Sequence, residues 1–203
     1  MIKTFFVTGI GTEIGKTIIS AILVEKLKAD YWKPIQSGDL DHSDSLKVQK
    51  LVSNTKSVFH PEAYRLTQPY SPHYSAELDH IEIVMDKIKK PATENHLIIE
   101  GAGGLMVPLN QNDLMIDLIK KLDYPVILVS KNYLGSINHT LLSVEALKNR
   151  NITIEGIIFN GEPNASTEKI ILKMSGLKSL GHVLPISEIN QETISEAGES
   201  INF

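Results

Sequence analysis

Apolar positions along the chain follow two alternating rhythms. Ile2 to Val7 (IKTFFV) is a β-rich run that stops at Thr8-Gly9, and Ile18, Ile19, Ile22, Leu23 and Leu27 mark one face of a helix over Lys16 to Lys28. Tyr31-Trp32 predicts a short strand, because Pro34 biases Lys33 toward extended backbone. Asp44 to Val52 predicts a helix. Residues 53–79, with Pro61, Pro69 and Pro72 among many polar side chains, read as loop with short turns. Ile81, Val84, Met85 and Ile88 keep the i, i+3, i+4, i+7 spacing of a further helix. Leu97-Ile98-Ile99 is a buried-strand run ending at Glu100-Gly101. A helix face follows at Leu114, Met115, Leu118, Ile119 and Leu122, after a polar turn. Pro125 to Val129, Gly156 to Phe159 and Gly181 to Leu184 are strands, separated by helices over Ser136 to Lys148 and Ser166 to Met174. Unbroken apolar strands alternating with helices predict an α/β fold, a mostly parallel sheet covered by helices on both faces.

Composition narrows the chemistry. The 203 residues carry 20 basic and 24 acidic side chains, a formal charge of −4, at 42% hydrophobic and 22% charged. That is the make-up of one folded domain over 1–203, not of a disordered chain. A net acidic chain has no general attraction for polyanions, so no nucleic-acid partner is expected. Cysteine is absent, which removes disulfides, thiolate metal sites and cysteine nucleophiles together. The seven histidines show no HxxxH spacing, so zinc is not expected. The opening MIKTFFVTG has one lysine and a short apolar run, too little for a signal peptide or a membrane span. The expectation is a cytoplasmic chain with no membrane partner.

The chemistry begins where the first strand meets the first helix, at Gly9-Ile10-Gly11-Thr12-Glu13-Ile14-Gly15-Lys16-Thr17. Gly-Lys-Thr opening a helix after a strand suits nucleotide phosphates. Backbone N–H groups from Glu13 to Ile18 face the anion, Lys16 reaches its oxygens, and the Thr17 hydroxyl suits Mg²⁺. The loop is one residue longer than the standard spacing, and a tight turn with a surface lysine is the competing reading. Glu100, before Gly101-Ala102-Gly103-Gly104, places a carboxylate where ligands of doubly wound sheets bind; a solvated glutamate before a flexible turn is the alternative. The glycine cluster can bring backbone amides to phosphate. Lys33, in Lys33-Pro34-Ile35-Gln36-Ser37-Gly38, is either at the same sheet edge or a surface lysine. Asp44, in Ser43-Asp44-Ser45, reads locally as part of a helix cap. Asn160 before Gly161 is placed equally well for a purine edge or for a plain turn.

With these residues in view, the sequence resembles the dethiobiotin synthetase family over nearly its whole length. FVTGIGTEIGKT stands for that family's phosphate loop, with Ile10-Gly11 in place of Thr-Asp. Tyr31-Trp32-Lys33-Pro34-Ile35-Gln36-Ser37-Gly38 stands for its YKP motif, with Trp32 replacing the tyrosine. Ser43-Asp44-Ser45, the stretch from Tyr64 to His73, Ile99-Glu100-Gly101-Ala102-Gly103-Gly104 and Leu134-Gly135-Ser136-Ile137-Asn138-His139 follow in order. The last thirty or so residues match poorly.

The resemblance implies a P-loop NTPase-like fold and an enzyme that joins diaminopelargonate and CO₂ (or bicarbonate) at the expense of ATP. It implies Lys16 and Lys33 as catalytic cations, Thr17, Asp44 and Glu100 on Mg²⁺, and Glu13 to Ile18, Glu100 to Gly103, Asn160 and Gly161 around the nucleotide. Thr12 and Ser37 would meet the diamine, and Gly135, Ser136, Ile137 and Asn138 would reach its carboxylate from a second subunit of a homodimer. The rivals are a ParA/MinD-like regulatory ATPase, a small-metabolite kinase and a non-catalytic nucleotide-binding module. Against the first, Ile10 to Ile14 holds no lysine. Ser187 to Phe203 carries Glu188, Glu192, Glu196 and Glu199 and no basic residue, the reverse of a membrane-seeking tail.

Overall fold

The computed structural model describes residues 2–203. In chain order the elements are strand β1 (Thr4–Gly9), helix α1 (Lys16–Leu27), β2 (Asp30–Trp32), β3 (Ile35–Ser37), α2 (Asp44–Leu51), β4 (Phe59–His60), β5 (Tyr64–Leu66), α3 (Pro72–Leu78), β6 (Leu97–Gly104), α4 (Met115–Leu122), β7 (Val126–Lys131), α5 (Ser136–Asn149), β8 (Ile154–Asn160), α6 (Ala165–Ser175), β9 (Ser179–Val183) and α7 (Gln191–Ala197). Seven strands form one sheet in the order β4-β2-β6-β1-β7-β8-β9, with every neighbouring pair parallel. β3 and β5 pair in parallel as a separate ribbon.

Period-two alternation sends successive strand side chains to opposite layers. Phe5, Val7, Ile98, Ile127, Val129 and Ile158 pack toward α1 and Ile194 of α7. Phe6, Leu97, Ile99 and Val126 pack toward α4, and Leu128, Ile157 and Phe159 toward α5 and α6. Both faces are buried, so the strands carry no polar stripe and read as continuous apolar runs. β1 lies centrally, and the chain crosses from β6 on one side of it to β7 on the other. That reversal opens a crevice at the carboxyl edge, where doubly wound sheets bind their ligands.

Three expectations are corrected. Residues 53–79 hold β4, β5 and α3 as well as loop; these are short elements whose pairing depends on distant strands. The helix expected around Ile81 to Ile88 is instead extended chain with one 3-10 turn at Met85–Lys87. Its backbone groups are taken by side chains from elsewhere. Val84 N–H donates to the Tyr64 hydroxyl at 2.9 Å, and the Ile83 carbonyl accepts from Asn110 Nδ2 at 2.8 Å. Ile83 and Ile88 nevertheless reach the core. Finally, β6 does not end at Glu100-Gly101 but continues through the glycines to Gly104. The α7 helix in the tail was not expected. Among the described residues no helix is long and apolar enough to cross a membrane.

Candidate active site

The loop between β1 and α1 is shaped to hold an anion. α1 begins at Lys16 with Gly15 as its N-cap at φ 91°, without a side-chain cap and without an acidic residue in its first turn. Its first N–H groups therefore face out of the helix end without a local partner. Glu13, at φ 56°, also takes the left-handed conformation and accommodates the longer loop. A side chain at residue 15 would collide with the amide of Asn160, whose Nδ2 donates to the Ile14 carbonyl at 2.8 Å. Asn160 thus braces the phosphate loop from the end of β8, and Ile14 itself is buried. Lys16 is folded back, donating to the Gly11 carbonyl at 2.9 Å. Burial lowers its pKa to about 8, against the opposing pull of Glu100.

Glu100, Lys33, Asp44 and Thr17 converge beside this loop. Lys33 Nζ lies 2.6 Å from Asp44 Oδ2 and 3.2 Å from Glu100 Oε1, and the Thr17 hydroxyl donates to Glu100 Oε1 at 3.0 Å. Lys33 is 4% exposed and Glu100 is 1% exposed, which corrects the surface-lysine and solvated-glutamate alternatives. Burial disfavours the charge on Lys33, yet Glu100 and then Asp44 more than offset it and raise its pKa. For Asp44 burial likewise opposes ionisation, and Lys33 overrides it to hold the carboxyl below its ordinary value. Ser43, not Asp44, caps α2, accepting from Leu46 N–H at 3.4 Å. Asp44 opens the helix with its carboxylate turned to Lys33.

The glycines after Glu100 are required by close approach. A Cβ on Gly101 would press on the Phe6 ring at 2.8 Å, and one on Gly103, at φ 65°, would strike Val107 at 2.7 Å. Ala102 and Gly103 line a cleft of about 370 Å³ together with Thr12, Lys33, Ser37 and Asp44. A second cleft of about 390 Å³ lies across the loop, with Ile18, Asn160 and Gly161 in its wall. Its remaining apolar wall, Leu184, Pro185, Ile186 and Ile189, was missed from the sequence. The available signal was an apolar Leu-Pro-Ile directly after a strand, at the ligand edge of the sheet.

Gly135, Ile137 and Asn138 line a different cleft, of about 720 Å³, with Tyr133 and the turn after β8. Ser136 is buried, and its hydroxyl has no partner. Within one chain these four residues do not join Thr12 and Ser37. Two residues that sequence reasoning passed over also act here. Tyr31 donates its hydroxyl to Glu100 Oε2 at 2.9 Å, and Gln36 Oε1 accepts from Asp44 N–H at 3.3 Å. Thr17, Asp44 and Glu100 make an all-oxygen set that fits Mg²⁺, with phosphate oxygens and water to complete it. Among the described residues no three His, Asp or Glu side chains cluster as a metal group of their own.

Comparison with known proteins bears on the family and the fold. A family model described as an AAA domain matches residues 3–193. In solved structures, the cell division ATPase MinD of Pyrococcus furiosus superposes with a TM-score of 0.66 at 12% identity, covering 98% of each chain. A ParA family ATPase of Chlorobium tepidum gives 0.58 at 15%, covering 99% of this chain and 100% of that one. At such identities these similarities establish the P-loop fold alone. The ATP-dependent dethiobiotin synthetase of Cytophaga hutchinsonii is 52% identical over 95% of this chain and 94% of its own. That of Christiangramia forsetii is 55% identical over 98% of this chain and 96% of its own. With that identity end to end, on a P-loop fold with its lysines and carboxylates gathered at one sheet edge, the chain belongs to the ATP-dependent dethiobiotin synthetase family.

Proposed function

We propose that this chain is a single-domain, cytoplasmic cyclo-ligase. It converts 7,8-diaminopelargonate, CO₂ and ATP to dethiobiotin, ADP and phosphate. The observation that carries the reading is Lys33, a buried cation held by Asp44 and Glu100 and lining the same cleft as Thr12 and Ser37.

Thr12 and Ser37 position the diamine in that cleft. One amine adds to CO₂ and loses a proton, giving a carbamate whose negative oxygen lies toward Lys33. That oxygen attacks the γ-phosphorus of ATP, the bond to the β-phosphate oxygen breaks, and ADP leaves. The second amine then attacks the carbamate carbon, loses its proton and expels phosphate, closing the cyclic urea. The protein's task is to position the reactants and neutralise spread negative charge. Lys16 and the N–H groups of Glu13 to Ile18 serve the phosphates, and Lys33 serves the carbamate and the transferring group. Gly101, Ala102 and Gly103 bring backbone close to the phosphates, and Asn160 and Gly161 border the base. Thr17, Asp44 and Glu100 would hold Mg²⁺, which when bound supplies further neutralisation of the triphosphate. Gly135, Ser136, Ile137 and Asn138 would complete the diamine site from the other subunit of a homodimer, where the start of α5 suits a carboxylate. Their separation from Lys33 within one chain supports that reading.

The test is to incubate pure protein with the diamine, bicarbonate, ATP and Mg²⁺ and to identify products by mass spectrometry. Dethiobiotin should form, with ADP release that requires both diamine and bicarbonate. Equal ATP turnover without the diamine would sink the proposal.

A further inference from the structure

The two oxygens of Glu100 are treated differently. Oε1 accepts from Thr17 and faces Lys33, whereas Oε2 accepts from the Tyr31 hydroxyl at 2.9 Å. Tyr31 has no solvent exposure, so its hydroxyl cannot turn to water. A phenylalanine would fill the same apolar space without the cost of burying a hydroxyl, which is recovered only through a hydrogen bond. The residue is also rigidly placed. Its backbone pairs with Phe59 on one side and Ile98 on the other, and its ring leans on Phe59 at 6.2 Å between centroids. Tyr31 and Lys33 stand two residues apart, the spacing that puts side chains on one face of an extended chain. Two donors on that face therefore grip the two oxygens of one carboxylate.

We infer that Tyr31 is a positioning residue: its hydroxyl pins Glu100 Oε2 inside the protein, so that Oε1 alone is presented to the Thr17 side of the site. This rests on the reading of Glu100 as a Mg²⁺ ligand. Mg²⁺ demands near-ideal octahedral geometry, so a carboxylate that cannot rotate or close around the ion with both oxygens is a pre-set, single-oxygen donor.

The experiment is a Mn²⁺ titration of the full chain saturated with the non-hydrolysable β,γ-methylene analogue of ATP, following free Mn²⁺ by electron paramagnetic resonance. Tyr31→Phe should weaken Mn²⁺ about tenfold, the usual scale for losing a group that orients a metal ligand. Analogue affinity without metal should be unchanged. Phe59→Leu, which loosens the ring but keeps the hydroxyl, should lower the melting temperature and leave Mn²⁺ affinity within about twofold. In a Glu100→Gln background, Tyr31→Phe should add no further loss. Infrared difference spectra of the unsubstituted protein on adding Mg²⁺ give an independent answer. The Glu100 carboxylate band, assigned by its disappearance in Glu100→Gln, should show the wide splitting of single-oxygen coordination. Two-oxygen coordination there, or a Tyr31→Phe variant that melts earlier yet binds Mn²⁺ normally, overturns the inference. If the unsubstituted protein takes up no Mn²⁺ with the analogue, the metal reading itself fails.

Discussion

Replacing Lys33 by methionine isolates its charge, because methionine keeps most of the aliphatic stem of this buried side chain. In the native protein one ammonium is paired with two carboxylates, and the Glu100 side chain is 0% exposed. Removing one partner of a buried pair costs about 3–5 kcal/mol, since the other charge stays buried. The cost here falls near the lower bound, about 3 kcal/mol, for two reasons. Asp44 is 23% exposed, and Glu100 retains the hydroxyls of Tyr31 and Thr17. At about 2–4 °C per kcal/mol for a chain of this size, the melting temperature should fall by about 6–12 °C. Mg²⁺ should restore part of that loss, because a divalent ion can replace the missing charge between the two carboxylates. Turnover should fall by about 10²–10³, as on removing one electrostatic stabiliser of a transition state. ATP should still bind, since Lys16 and the loop amides are untouched. Differential scanning calorimetry, single-turnover kinetics and titration calorimetry read the three quantities. Trp32, the chain's single tryptophan, verifies through its emission that the neighbouring core is intact. An unchanged melting temperature with less than tenfold loss of turnover (about 1.4 kcal/mol) would refute the view of Lys33 as a buried, doubly paired cation.

Lys16 makes a pH prediction. Its folded pKa of about 8 lies below the ordinary 10.5, so ATP affinity should be flat below pH 8 and fall as pH rises above it. Between those two values the unfolded chain binds more protons than the folded one, so the free protein should gain stability over the same window; parallel calorimetry and melting curves would expose a wrong sign in either. Gly15→Ala should abolish nucleotide binding and cost about 1–2 kcal/mol, because the left-handed backbone disfavours a Cβ that would also strike Asn160; a urea melt and a binding isotherm check both. If diamine sites are shared across a dimer, mixing inactive Lys33→Met and Asn138→Ala subunits should recover about a quarter of native activity, since half the dimers would be hybrids with one intact site of two. No recovery after subunit exchange would place Asn138 outside the partner's site.

The sequence by itself determined most of the framework. Runs such as Pro125 to Val129 and the helix face from Ile18 to Leu27 are dense enough in local signal to fix type and position, and Gly-Lys-Thr after a strand located the phosphate loop. Local pattern could not see partners far along the chain. The Ile81 to Ile88 rhythm is helical, yet the segment is extended, because Tyr64 and Asn110 take the backbone groups that a helix would use. Asp44 reads as part of a cap until Lys33 is found 2.6 Å away. Tyr31 reads only as strand until its hydroxyl is found on Glu100, 69 residues later. Core burial follows from short-range periodicity and so is legible in sequence. The charges and hydroxyls of the site are paired across strands of a parallel sheet, and only the folded register of β1, β2 and β6 decides which of them meet.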